Sequence, residues 1–243
     1  MRVEKSDLIS GEDIQVAMCH VRQIKLRDIK GSSMYKIYNK MIGTLSIGLN
    51  DIISADRAAE LRSEVGDAAV NVLDLMLLIP ALQRDLIDAL TFFLRERVVC
   101  DEVHQTVLIF DQKECIGRLT PEIYEDICSV VMQANYMSDE SLSPKKFRSK
   151  KAQATYEKIQ RLRPKKSNPN ASFEIYNIIS QVSAKSHTYN LLNIWDLTVY
   201  QLYDQFTSIR TNHIIDSSML KWAAWGDESP DFDLWFKIKE NNQ

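Results

Sequence analysis

Along the first half of the chain, apolar residues recur mostly at helical spacing. In SSMYKIYNKMIGTL, Met34, Ile37, Tyr38 and Met41 fall at i, i+3, i+4 and i+7, which predicts an amphipathic helix capped by Ser32 or Ser33. Ser54 is placed to open another helix over ADRAAELRSEV. Asp67–Arg97 is the most apolar region and is split at Pro80. Val70, Leu73, Leu77 and Leu78 line one face of its first half. Leu82, Leu86, Ile87, Leu90, Phe93 and Leu94 line the second, with Arg84, Asp85 and Asp88 outward. These two helices are expected to build the core of an N-terminal domain.

Two stretches depart from that spacing. IQVAMCHVRQIKLRD (Ile14–Asp28) alternates imperfectly and reads as a short strand, and VVCDEVHQTVLIF (Val98–Phe110) is rich in β-branched residues and reads as a stronger one. Helical patterning then resumes. Thr120 is placed to cap the next helix, with Pro121 at the first helical position, where its missing N–H costs nothing. Glu122, Glu125 and Asp126 follow in the first turns, where the helix dipole favours acids.

The C-terminal part predicts a helix around Phe173–Val182 and then a sharply defined one in NIWDLTVYQLYDQF. Thr198 is a good N-cap, Gln201 can reach back to the cap's own N–H, and Leu197 with Leu202 makes a hydrophobic staple. Val199, Leu202, Tyr203 and Phe206 form the expected buried stripe. This regularity has a structural explanation and needs no catalytic one.

Charge divides the chain. Lys145–Lys166 holds ten basic residues and one acid, a local +9, so the rest carries −12 to reach the net −3. The basic residues are Lys145, Lys146, Arg148, Lys150, Lys151, Lys158, Arg161, Arg163, Lys165 and Lys166. Pro144, Pro164 and Pro169 punctuate this linker-like stretch. The resulting expectation is a mainly α protein. It comprises a helical N-terminal domain with a short strand pair over 1–140, a basic linker or exposed helix over 141–170, and a smaller helical, aromatic-rich C-terminal domain over 171–243. Seven glycines and six prolines in 243 residues are few, which also favours long helices.

Candidate chemistry is sparse. The four cysteines show no CxxC pairing and read as free thiols of a cytoplasmic protein, although a Cys100–Cys115 bridge is geometrically possible. The N-terminus lacks the apolar core of a signal peptide, and no apolar run approaches the roughly 18 residues of a membrane span. His20, His104, His187 and His213 have no metal-ligand spacing, and phosphate-binding and hydrolase motifs are missing. The expectation is a protein without catalytic residues, metal or cofactor. Phe147 and Tyr156 within the basic segment would allow base stacking, yet no nucleic-acid fold surrounds them and the pI is about 5.9. All four tryptophans lie near the C-terminus. Trp195 immediately precedes the capped helix and is expected to be packed. Aromatics bundled in a small helical tail read first as a compact core and otherwise as interface anchors; on the interface reading Trp222, Trp225 and Trp235 are the candidate partner-binding residues, because tryptophans dominate binding hot spots.

The C-terminal residues carry a resemblance. Leu197, Thr198, Gln201, Asp204 and Phe206, followed by Ala223, Ala224, Trp225 and Gly226, resemble the closing pattern of helical tail assembly chaperones from phages of Gram-positive bacteria. IKLRDIKGSSMYKIYNKM is similar to that group's short strand, turn and Tyr-containing helix. The group has an Arg soon after the Phe; here Thr207, Ser208 and Ile209 precede Arg210. The resemblance implies a non-enzymatic protein of the host cytoplasm that holds helical segments of the tape-measure protein, or other tail proteins, and self-associates. A structural virion protein (baseplate or tail completion) and a nucleic-acid-binding accessory protein using Lys145–Lys166 are the alternatives.

Overall fold

Two short β-structures and a set of helices close around one buried cluster. The structure, a computed structural model, describes residues 1–53, 71–101, 103–137 and 171–226. The helix expected after Ser54, the contribution of Val70, and the basic segment Lys145–Lys166 lie outside the described residues, as does Trp235.

Helix α1 (Lys5–Ser10) leads to an antiparallel hairpin of β1 (Ile14–Val16) and β2 (Cys19–Val21). The region read as one strand is therefore two strands followed by a 3-10 turn over Leu26–Ile29. Ala17, at φ 51, lets the chain reverse between them. Helix α2 (Ser32–Leu45) starts at Gly31, whose φ of 95 needs a glycine and whose N–H donates to the Tyr176 hydroxyl at 2.9 Å. No serine side chain caps it. Its buried face is also rotated from the expected one: Tyr35, Tyr38, Ile42 and Leu45 are inside, whereas Met34 and Ile37 are exposed. Tyrosine competes successfully for that face because its ring is apolar while its hydroxyl reaches a partner. Tyr38 donates to Asn135 Oδ1 at 2.7 Å.

After α3 (Leu49–Ile52), helices α4 (Val72–Leu78) and α5 (Pro80–Phe93) form as the split at Pro80 predicts, with Pro80 in the first turn of α5. Leu73 and Leu77 are buried, joined by Met76, but Leu78 at the end of α4 is 66% exposed. Leu86, Leu90, Phe93 and Leu94 are buried along α5, and Leu82 and Ile87 pack partly against them.

The mainly α expectation is corrected at the next segment. Val98–Phe110 is not one strand but the hairpin β3 (Arg97–Asp101) and β4 (Thr106–Asp111), and β5 (Glu114–Arg118) completes an antiparallel sheet in the order β3-β4-β5. With five strands in two sheets, the described chain is mixed α and β. β5 escapes sequence reading because ECIGR has little alternation and four of its five residues are exposed. At Gly117 a Cβ would meet Met18 Cε at 2.5 Å, so a larger residue there would push aside the end of that flexible side chain.

Helix α6 (Pro121–Ala134) follows, capped by Thr120 Oγ1, which accepts the Ile123 N–H at 3.4 Å. Leu86, Ala89, Leu90 and Phe93 of α5, with Ile127, Val130 and Val131 of α6, are fully buried and mark the centre of the core. Helix α7 (Ala171–Lys185), a 3-10 turn over Ile194–Asp196 and the 27-residue α8 (Val199–Trp225) complete the description. Ile175, Ile179, Val182, Ile194, Leu197, Tyr200 and Leu202 join the same buried cluster as the N-terminal residues.

Thr198 and Gln201 form the reciprocal cap that the sequence predicts. The Gln201 N–H donates to Thr198 Oγ1 at 3.2 Å, and the Thr198 N–H donates to Gln201 Oε1 at 2.9 Å. Thr198→Ala should cost about 1 kcal/mol through the lost cap. Leu202 is 0% exposed, so Leu202→Ala should cost about 2–5 kcal/mol. Urea denaturation of both variants checks the order; equal, negligible effects would remove Leu202 from the core.

Candidate protein-binding site

The connection from α7 to α8 is built on short polar side chains. Asn190 Oδ1 accepts the N–H groups of Leu192 (2.8 Å) and Asn193 (3.3 Å), Asn193 Oδ1 accepts the Asn190 N–H at 2.8 Å, and Asn193 Nδ2 donates to the Thr188 carbonyl. This lattice holds Leu191 and Leu192 outward, the latter 91% exposed. Together with Ser180, Ser183 and Ala184 of α7 they line an open groove of about 440 Å³. The Ser183 Oγ is buried without a hydrogen-bond partner.

Trp195 is held as expected. Its Nε1–H donates to the Leu191 carbonyl at 2.9 Å, Lys30 Nζ lies 4.7 Å from its ring centre, and it packs against the buried cluster. Beside it, Asp196 pairs with Arg27.

The far end of α8 behaves differently. Its last buried residue is Ile215; nothing in Asp216–Trp225 is buried. Trp222 is 50% exposed, Trp225 75%, Leu220 71% and Ile214 46%. Ile214, Trp222 and Trp225 lie within about 80° of one another around the helix, whereas Leu220 lies about 160° from Trp222. Ala223 and Ala224, also exposed, lie beyond the aromatic face. One helix end thus carries an aromatic side and a separate small-and-aliphatic side. Clustered exposed apolar side chains of this kind mark interaction surfaces.

No comparable gathering supports metal chemistry. Among the described residues, no three His, Cys, Asp or Glu side chains lie close enough to hold a metal ion. The histidines with described partners form pairs: His20 Nδ1 with Glu96 Oε1 and His104 Nδ1 with Asp101 Oδ2, both at 2.7 Å. All four cysteines are free. Burial, with a smaller push from Glu96, raises the Cys19 thiol to about 11; burial raises Cys128 to about 12.

Residues 165–240 match the family model described as YomV second domain. The match makes this part of the chain phage-associated. It spans α7, the asparagine-braced connection and α8, so Trp195, Trp222 and Trp225 all lie inside the YomV second domain match. No curated protein and no solved structure matches the chain. Among the described residues no helix is long and apolar enough to cross a membrane.

Two measurements follow from this geometry. Trp222→Ala and Trp225→Ala should each leave stability within about 0.5 kcal/mol of the parent, because neither ring is buried; a large loss in thermal unfolding would place them in a core. With a maleimide at pH 8, exposed Cys115 should react first, half-buried Cys128 more slowly and buried Cys19 only after denaturation. Rapid labelling of Cys19 in the native protein would contradict its burial.

Proposed function

We propose that the chain is a non-enzymatic phage tail assembly chaperone that holds helical segments of the tape-measure protein on the exposed end of α8. One observation carries the reading: none of the last ten residues of α8, Asp216–Trp225, is fully buried, and Leu220, Trp222 and Trp225 among them are exposed. An apolar helix end in water is stabilised by any partner that covers it, and an amphipathic helix is a natural cover. The phage association of residues 165–240 and the resemblance of Leu197–Phe206 to the chaperone pattern support the same reading. The protein would work in the host cytoplasm, with self-association as a further use of the same apolar surface.

The test is co-expression of this chain with a phage tape-measure protein, followed by affinity capture. Trp222→Ala or Trp225→Ala should stay folded by circular dichroism and weaken capture by at least about 2 kcal/mol, a hot-spot effect. Undiminished capture by both variants would sink this assignment. Mass spectrometry of purified particles should find the protein missing; its presence would favour a baseplate or tail-completion component.

A further inference from the structure

The three-stranded sheet has a second face that the core does not use. Side chains alternate across a strand, and Val98, Val107 and Ile109 are buried, with Cys100 packed beside them. The opposite side carries Arg97 and Val99 of β3, Leu108 and Phe110 of β4, and Arg118 of β5. Val99, Leu108 and Phe110 are half-buried, yet none packs against the buried cluster. Ile116, displaced by the register shift at Ile109/Phe110, is 38% exposed beside them.

The register fixes how charge frames this strip. Arg97 lies opposite Phe110, Val99 opposite Leu108, and Leu108 opposite Arg118. The two arginines therefore occupy opposite corners, two strand spacings apart and two residues out of line, roughly 12 Å between backbones. Neither guanidinium has an ion-pair partner among the described residues, whereas Lys5, Arg27 and Lys40 are paired with Asp204, Asp196 and Asp85. Asp101, at the end of the same face, is already engaged. It accepts the N–H groups of Val103 (3.0 Å) and His104 (3.3 Å) as well as His104 Nδ1, bonds that hold its carboxyl below the usual range.

An apolar strip with guanidiniums at two corners, unpaired among the described residues, selects its cover. A wholly apolar partner would bury arginines without counter-charges, and a basic one would repel them. Carboxylates accept the guanidinium fork in two parallel hydrogen bonds. The corner spacing equals about three to four residues of extended chain. Single-stranded nucleic acid fits less well, because Val99, Leu108 and Ile116 offer no stacking surface and Phe110 supplies a single ring. We propose that the outer face of β3-β4-β5 docks an extended, acidic peptide segment of another protein, with two carboxylates three or four residues apart and apolar residues between them.

The experiment is a selection of random dodecapeptides displayed against the full chain. Peptides carrying an acidic pair at that spacing around apolar residues should be enriched. The double variant Arg97→Glu/Arg118→Glu, checked for folding by circular dichroism, should bind them at least tenfold more weakly. Trp222→Ala/Trp225→Ala should bind them unchanged, which separates this face from the end of α8. No enrichment, enrichment without the acidic pair, or full binding by the arginine variant would overturn the proposal. So would loss of binding in the tryptophan variant. A labelled oligothymidylate bound by the parent and released by the arginine variant would assign the face to nucleic acid instead.

Discussion

The backbone clasp between residues 24–26 and 197–199 fixes where α8 begins. The Leu26 N–H donates to the Leu197 carbonyl at 2.9 Å, and the Val199 N–H donates to the Ile24 carbonyl at 3.0 Å. Lys25 and Thr198 are thereby paired as an isolated antiparallel bridge. Ile24, Leu26, Leu197, Thr198 and Val199 are all buried, so opening the clasp would strand polar groups away from water as well as break two bonds. Thr198 belongs both to this bridge and to the cap of α8. Gln201, the other half of the cap, also donates to the Ile9 carbonyl at 2.7 Å. One helix start thus fastens α1, the 3-10 turn at Leu26–Ile29 and α8 together. Gly11 is required beside it, since its φ is 74 and a Cβ would meet Gln201 Nε2 at 2.9 Å.

Tyrosines extend the attachment. Tyr136, at φ 59 just past α6, stacks on Tyr203 with centroids 5.4 Å apart and leans on Tyr200. Its hydroxyl meets Thr207 Oγ1 at 3.2 Å. Tyr176 of α7 contacts Tyr35 of α2 while accepting the Gly31 N–H. Each ring fills apolar space and carries a polar tip to a neighbouring element, so packing and hydrogen bonding select the same arrangement. Burial raises the Tyr200 hydroxyl to about 12 and raises Tyr38 too, which keeps both neutral inside the core.

This anchoring gives α8 two regimes. Its first turns are immobilised at Thr198 and stacked on Tyr136; its last ten residues project apolar side chains that the described fold leaves exposed. The helix spans about 40 Å, so a fixed base presents a distant end in a defined direction. A partner meeting that end pays little to order it, so even a few contacts there contribute to binding. The outer face of β3-β4-β5 is rigid for a different reason, since its two cross-strand registers hold Arg97 and Arg118 at a set separation.

Signals contained within a few neighbouring residues were legible in the sequence. The Thr198–Gln201 cap, the Thr120 cap with Pro121, the helix start at Pro80 and the apolar stripe Leu86–Leu90–Phe93 each depend on local backbone geometry, and the fold keeps them all. The exposure of Trp222 and Trp225 was legible only as a choice between core and surface, because an aromatic residue on a helix suits either. Choices that depend on distant partners were settled by tertiary structure. The buried face of α2 turned toward Tyr35 and Tyr38 because Tyr176 and Asn135 wait there, 141 and 97 residues away in the chain. β5 formed because β4 offered an unpaired edge, which outweighs a weak local pattern. Residues 24–26 met residues 197–199 for the same reason: backbone hydrogen bonds carry no side-chain signature, so only the folded chain decides which segments share them.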